Sequence, residues 1–265
     1  MPTTCACASS PVGRPVAEIS LLAFAGLVLA AFTGGFVSSI AGAGGMIVLP
    51  CLLWAGLPPV QALATNKCQS VFGTLSSAIN YFRSGQLQLA PLRSTLMWAL
   101  AGALAGTWLV QQLDAAVLDA LLPPMLILLA GYFAFSPRIS DDDGPPRLST
   151  HLFAPLVGGG LGIYGGFFGP GMGSISAAAF AGLRGFNMRR ATASTKPVVL
   201  ATNFASMTVF IVGGHVVWPL VAAMAVAQII GARLGSGLVI NRGTALVRPV
   251  IVVTTAAIAL RLMLR

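Results

Sequence analysis

The sequence predicts an all-α protein that crosses a membrane several times and consists of two inverted repeats. Two compositional observations and one pattern predict this fold class. Of the 265 residues, 56% are hydrophobic and only 8% are charged, whereas about a quarter of the residues in soluble domains are charged. Apolar runs approach or exceed the ~18–20 residues that a spanning helix needs, near 19–41, 92–111, 118–135, 196–218 and 219–240. The pattern is an internal repeat.

The repeat is clearest around the two lysines of the chain, Lys67 and Lys196, which are 129 positions apart. Each lysine follows small residues with hydroxyl or amide groups, in Ala64-Thr65-Asn66-Lys67 and Ala193-Ser194-Thr195-Lys196. The same displacement pairs Gly42 with Gly171, Gly44 with Gly173, Gly56 with Gly185, Gly85 with Gly214, Gly102 with Gly231 and Gly106 with Gly235. A repeat of this length indicates two copies of one structural unit.

Each copy is predicted to contain about five hydrophobic segments. After a polar leader at 1–18, the first membrane repeat (19–136) has segments near 19–41, 46–56, 61–82, 92–111 and 118–136. A polar linker follows at 137–150, and the second membrane repeat (151–265) has segments near 151–168, 172–183, 190–213, 217–240 and 245–264. The second segment of each copy is too short to span. With the glycines before it, it predicts a broken or re-entrant pair, whose backbone must lie against protein or a cavity.

Loop charges predict how the copies are related. Arginines concentrate in the loops at 83–93, 136–149, 184–190 and 241–248, and the loops at 55–61, 111–119 and 213–219 have no lysine or arginine. Where a loop of one copy is rich in arginine, the equivalent loop of the other copy has none. This is expected if each copy has five segments, because an odd number of crossings makes the second copy enter the membrane from the opposite face. The positive-inside rule places the arginine-bearing loops in the cytoplasm and both termini outside.

The two lysines are the candidate functional residues. No carboxylate lies within an apolar run, so two cations in the membrane need an anion, which a substrate can supply. Glycine breaks and nearby hydroxyl and amide groups can donate hydrogen bonds to it. The predicted substrate site comprises Lys67, Lys196, Thr65, Asn66, Ser194, Thr195, Gly42, Gly44, Gly45, Gly171 and Gly173. The alternative is that both lysines extend to the headgroups and the glycines only permit close helix packing.

The sequence lacks the residues that other functions would require. The net charge of +9 resides mainly in arginines at segment ends, where lipid headgroups explain it, and nucleic-acid binding is not expected. The sequence has no Ser-His-Asp set, phosphate loop or metal-ligand cluster, so neither catalysis nor a metal or cofactor is expected.

Several motifs resemble the TauE/SafE family of sulfite exporters and sulfonate permeases, and its YfcA-like branch in particular. They are the two glycine clusters, Ala-Leu-Ala-Thr-Asn-Lys at 62–67, Gly-Phe-Phe-Gly-Pro-Gly at 166–171 and Gly-Ala-Arg-Leu-Gly-Ser at 231–236. The resemblance extends from Ile19 to the C-terminus. It implies a multi-pass protein of the bacterial inner membrane that moves a small anion, often a sulfur oxyanion or organosulfonate. It fixes neither the substrate nor the direction.

The chain departs from the family pattern at two positions. Ser38 and Gly165 stand where relatives often have an acidic residue, so proton coupling through those positions is not expected here. The sequence therefore predicts a secondary transporter with alternating access, with an anion channel or a membrane scaffold without transport as alternatives. An oligomer of identical chains is compatible with all three.

Overall fold

A computed structural model describes residues 20–134 and 142–242. The predicted leader, the predicted segment at 245–264 and part of the predicted linker lie outside the described residues. Every regular element within the described ranges is helical. The first half forms α1 (Leu21–Ala41), α2 (Gly45–Trp54), α3 (Pro59–Arg83), α4 (Arg93–Gln111), preceded by a 3-10 turn at Ala90–Leu92, and α5 (Ala115–Ala134).

The described part of the second half consists of α6 (Thr150–Leu152), a π-helical segment (Phe153–Gly158), α7 (Gly159–Phe167), α8 (Met172–Arg184), α9 (Met188–Val212) and α10 (Trp218–Arg242). Local chemistry accounts for the main boundaries. Ser20 and Asn187 cap α1 and α9 with their side-chain oxygens, and Gly42 ends α1 in a left-handed conformation.

The displacement of 129 residues is retained in the backbone. Helices α3 and α9 both contain 25 residues and begin at Pro59 and Met188. Six of the seven glycines with positive φ form three pairs at the same displacement, namely Gly42 with Gly171, Gly56 with Gly185 and Gly85 with Gly214. These glycines stand where the chain ends or reverses a helix, which is where a left-handed residue is needed.

Opposite ends of the two corresponding helices share buried clusters. Leu63, near the start of α3, belongs to the same buried cluster as Phe210, near the end of α9. Tyr81, near the end of α3, belongs to a second cluster together with Ala191, near the start of α9. An antiparallel arrangement of α3 and α9 predicts this sharing.

Close backbone packing joins the halves. Gly102 and Gly106 place α4 on α7, where a methyl group at either glycine would lie 2.9 Å from a backbone nitrogen of α7. Gly231 places α10 on α1 in the same way, at 3.1 Å from the nitrogen of Phe36. The small residues at these positions therefore let the helices of the two halves pack closely.

Polarity is distributed as in a membrane protein. Lys67, Gln69 and Thr107 are buried, whereas Leu21 and Val212 are each 84% exposed. Three described helices are long and apolar enough to cross a membrane, Leu21–Ala41, Met188–Val212 and Trp218–Asn241. Water would penalise so much exposed apolar surface, and lipid does not. These features are those of a membrane protein.

Candidate functional site

Lys67 is the ninth residue of α3 and only 2% exposed. Its ammonium group donates a hydrogen bond to the carbonyl of Gly165, near the end of α7. It also lies against the backbone of Gly169, whose φ is +95° and where an added methyl group would be 2.8 Å from the lysine Cε. Gly169 must be glycine for two reasons, because a side chain would be strained there and would also displace the lysine.

Lys196 occupies the equivalent position, the ninth residue of α9, and is 3% exposed. Its ammonium group donates to the carbonyl of Ser38 at 2.9 Å and lies 5.7 Å from the centre of the Tyr81 ring. The same carbonyl accepts the backbone N–H of Gly42 at 2.9 Å. The Lys196 cation is thus positioned by a carbonyl and by the face of an aromatic ring.

The two contacts are reciprocal between the halves. Lys67 of the first half reaches α7 of the second, and Lys196 of the second half reaches α1 of the first. The accepting carbonyls, Ser38 and Gly165, stand near the C-terminal ends of α1 and α7. The last turn of a helix carries partial negative charge, and the Ser38 carbonyl accepts the Gly42 N–H in addition to the lysine. Each lysine therefore caps a helix of the opposite half.

Each lysine lies well inside its helix. It stands eight residues beyond the first residue of the helix, roughly 12 Å along the axis. The helix ends nearest to the ammonium groups are negative rather than positive, because they are the C-terminal ends of α1 and α7.

The glycine clusters meet each other. Gly42 and Gly173 lie backbone to backbone, since a methyl group on Gly173 would be 2.5 Å from the Cα of Gly42. Ser174 strengthens this contact by donating its hydroxyl to the carbonyl of Ala41. Gly171, with φ of +73°, precedes the first residue of α8. The predicted breaks are therefore adjacent, and their backbones approach closely.

The other two glycines of the predicted site have different surroundings. A methyl group at Gly45 would lie 3.2 Å from the Cα of Pro170 and 3.6 Å from the amide nitrogen of Asn66. Gly45 therefore lies where the first half meets the second-half break. Gly44 packs instead against the backbone of Gly34 and the Cβ of Ser38, so its role is contact between α1 and α2.

The hydroxyl and amide side chains of the predicted site also have different surroundings. Thr65 is fully buried, and its hydroxyl oxygen has no hydrogen-bond partner within the described part of the chain. Asn66 accepts a hydrogen bond from Gln69 at 3.2 Å. Thr195 donates to the carbonyl of Thr192 at 2.8 Å within its own helix. Ser194 lies away from these groups and lines a separate pocket near the arginine-bearing turns.

Some residues around the lysines were not predicted as site residues. They are Gln69, Tyr81 and Gly169, together with the carbonyls of Ser38 and Gly165. Gln69 could have been found, because it follows Asn66 by three residues and so shares its helix face. Ser38 and Gly165 are 127 rather than 129 positions apart, so a search at one fixed displacement does not pair them.

No acidic side chain accompanies either lysine among the residues that the structure describes. The four aspartates there, Asp114, Asp119, Asp142 and Asp143, are all exposed. The same ranges contain no group of three or more histidine, cysteine, aspartate or glutamate residues that could hold a metal ion. The site is therefore cationic at its centre, with backbone carbonyls as the neighbours of the charge.

Comparison with known proteins places this arrangement in a family. The family model described as sulfite exporter TauE/SafE matches residues 27–262. The chain belongs to the TauE/SafE family. The match includes both glycine clusters, both lysines and both carbonyl positions, so every part of the site described above falls within the family's own region.

Curated relatives of the TauE/SafE family agree with the match. A probable membrane transporter protein of Haemophilus influenzae is 40% identical over 235 residues, covering 89% of this chain and 91% of the relative. Probable membrane transporter protein YfcA of Escherichia coli K12 is 38% identical over 245 residues, covering 92% and 91%. Probable membrane transporter protein ORF9 of a Sinorhizobium species is 39% identical over 243 residues, covering 92% of each. No solved structure gives a significant match.

Proposed function

We propose that this chain is a secondary transporter that moves a small anion across the bacterial inner membrane, with a sulfur oxyanion or an organosulfonate as substrate. The observation that carries the proposal is the pair of buried ammonium groups of Lys67 and Lys196, each held by a backbone carbonyl of the opposite half. The family description, sulfite exporter, supports the substrate class, and the names of the relatives support transport.

Electrostatics explains why an anion belongs there. Removing an ammonium ion from water costs several kcal/mol even after the protein relaxes. The C-terminal end of a helix returns up to about 2 kcal/mol in a partly buried geometry. The carbonyls of Gly165 and Ser38 therefore offset only part of the cost of burying each lysine. An anion bound between the halves would supply the remainder, and it would gain most from binding both lysines at once.

Inverted repeats are the architecture that we propose for this transporter. The buried clusters shared by opposite ends of α3 and α9 support it, as do the paired glycines with positive φ and the reciprocal contacts of the lysines. Transporters built this way bind substrate near midmembrane, at the interface of the repeats, between broken helices. The contact of Gly42 with Gly173 lies where the two breaks meet.

Reciprocal capping suggests how access alternates. Each lysine is carried by one half and each accepting carbonyl by the other, so rocking one half against the other must stretch these contacts. Opening towards one face would release one ammonium group from its carbonyl and free its donors for the anion. Because Ser38 and Gly165 lack carboxylates, the membrane potential is the driving force that we propose. Expelling one negative charge gains about 2.3 kcal/mol per 100 mV.

The test is uptake of ³⁵S-labelled sulfite by the full chain in liposomes, normalised to folded protein. Lys67→Met and Lys196→Met should each lower the rate at least about tenfold, as expected for loss of a charge-assisted contact. Arg83→Gln removes the same charge from the exposed last residue of α3 and should leave the rate unchanged. Wild-type rates in both lysine variants would remove the lysines from the mechanism.

Two further measurements on the wild-type liposomes separate a transporter from other functions. Saturation at low sulfite and stimulation by sulfite on the opposite side are expected of alternating access. A linear, unsaturated flux would indicate a channel. Absence of flux for sulfite and for methanesulfonate, under either sign of membrane potential, would favour a scaffold.

A further inference from the structure

A small polar pocket lies between the turn that joins α3 to α4 and the turn that joins α8 to α9. Its volume is about 120 Å³, and it is lined by Gln86, Gln88, Pro91, Phe186, Arg190 and Ser194. A water molecule in the liquid occupies about 30 Å³, so the pocket has room for roughly four waters or one small oxyanion. Both turns belong to the set of arginine-bearing loops.

Arg190 is the cation of the pocket, and its orientation is fixed. The guanidinium carbon lies 3.9 Å from the centre of the Phe186 ring. One guanidinium nitrogen lies 3.5 Å from a carboxylate oxygen of Asp143, with both side chains about half exposed. An exposed pair of this kind is weak. Since arginine has five N–H donors, most remain available to another anion.

Ser194 supplies a second polar group on the same wall, because it follows Arg190 by about one turn of α9. The residue lines the pocket and is 6% exposed, and its hydroxyl forms no hydrogen bond with any residue in the described ranges. The hydroxyl can therefore donate a hydrogen bond to an anion or to water in the pocket. The amide oxygen of Gln86, on the facing turn, is buried without a partner within the described residues, but it is an acceptor and does not bind an oxyanion. Arg190 and Ser194 are therefore the donors on which the pocket relies.

The position of the pocket indicates a function for these polar groups. Ser194 is two residues before Lys196 in α9, so the pocket adjoins the helix that carries one of the two central lysines. We propose that this pocket is an entrance subsite, where the transported oxyanion binds Arg190 and Ser194 before it reaches Lys196. The subsite lies on the face of the membrane that carries the arginine-bearing turns. This inference rests on the proposed transport function.

Asp143 competes with the anion for Arg190. One of its carboxylate oxygens accepts the backbone N–H of Asn187 at 2.7 Å, and the other lies near Arg190. An anion in the pocket competes with Asp143 for the guanidinium. Replacing the carboxylate by an amide should therefore strengthen anion binding, whereas replacing the guanidinium should weaken it. Opposite changes in anion affinity at Asp143 and Arg190 would distinguish a binding role of the pair from a structural one.

The first experiment measures binding of sulfite, and in parallel sulfate, to the purified full chain by thermal shift. Arg190→Gln and Ser194→Ala should each raise the apparent Kd, Arg190→Gln by about tenfold. Asp143→Asn, which keeps the oxygen that accepts from Asn187, should lower it. Arg189→Gln, a neighbouring exposed arginine that does not line the pocket, should leave it unchanged. Lys196→Met should retain binding in the pocket and lose transport, which separates failure of the subsite from failure of the transporter.

The second experiment measures KM for sulfite from each face, using liposomes in which the chain is oriented one way. Arg190→Gln should raise KM from the face of the arginine-bearing turns, with KM from the other face and the maximal rate unchanged. Equal KM changes from both faces would overturn the subsite, as would Asp143→Asn and Arg190→Gln shifting the Kd in the same direction. Wild-type binding that Arg190→Gln does not weaken would overturn it even if the chain transports sulfite, and absence of binding would overturn it as well.

Discussion

Gly42 and Gly173 pack backbone against backbone where the end of α1 meets the start of α8. A methyl group on Gly42 would lie 2.5 Å from the Cα of Gly173, far inside van der Waals contact. The contact joins one glycine break of each half. Motion of one half against the other must therefore act on this point.

Gly42→Ala should be among the most destabilising single-methyl changes in the chain. Gly42 has φ of +76°, so alanine would add left-handed strain to the collision with Gly173. The strain alone costs about 1–2 kcal/mol. Gly85→Ala is the matched control, because Gly85 has φ of +74° with nothing within 4 Å. Thermal unfolding in detergent should show a larger loss for Gly42→Ala. Equal losses would mean that the two breaks do not touch in the folded protein.

Gly169→Ala should reduce transport through its effect on Lys67. Its φ is +95°, and the side chain would occupy the space of the lysine ammonium group, pushing it from the Gly165 carbonyl. Gly214→Ala introduces comparable strain, at φ of +71°, into open space. Sulfite uptake per folded molecule should therefore fall only in Gly169→Ala. Uptake that is equally impaired in both variants would show that backbone strain, rather than the lysine, is responsible.

The proposed inverted repeats predict which turns share a face of the membrane. Gln88 lies in the turn after α3, Arg189 is the second residue of α9, and Gln112 follows the last residue of α4. In a cysteine-free background, Gln88→Cys and Arg189→Cys should react with an impermeant maleimide from the same side, and Gln112→Cys from the opposite side. The positive-inside rule makes the first side cytoplasmic. Labelling of all three from one side would rule out inverted repeats.

Gln228 offers a test of buried polarity in α10. Its Cγ would lie 2.7 Å from a methyl group at Gly35 and 2.5 Å from one at Gly73, and its amide oxygen is buried without a partner. Gln228→Met keeps the unbranched chain and removes the unpaired oxygen, so the free energy of unfolding should stay level or rise. Gln228→Leu is branched at Cγ and should lower it by about 1–3 kcal/mol. A loss in the methionine variant as large as in the leucine variant would indicate that the amide is hydrogen-bonded.

Much of the helical pattern could be predicted because it depends on local chemistry. The predicted segments near 61–82, 172–183 and 217–240 correspond to α3, α8 and α10 within a few residues. The sequence pairs Gly56 with Gly185 by one displacement, and both glycines have positive φ in the structure. Apolar length and glycine conformation are properties of short stretches, and they are visible without tertiary contacts.

The partners of Lys67 and Lys196 could not be predicted in the same way. Their carbonyls lie 98 and 158 positions away in the chain, and any backbone carbonyl is chemically equivalent in a sequence. The sequence indicated that the lysines lack carboxylates within the apolar runs. It did not indicate that helix C-terminal ends take the place of those carboxylates, because this depends on how the halves dock.

The sequence by itself determined a helical membrane protein of two related halves, with a lysine at the same position of each. Those features follow from apolar length, repeat spacing and the scarcity of charge. Only the tertiary structure decided that the glycine breaks touch, that each lysine caps a helix of the other half and that Ser194 faces a separate pocket with Arg190. These contacts join residues remote in the chain, so they arise only when the two halves pack together.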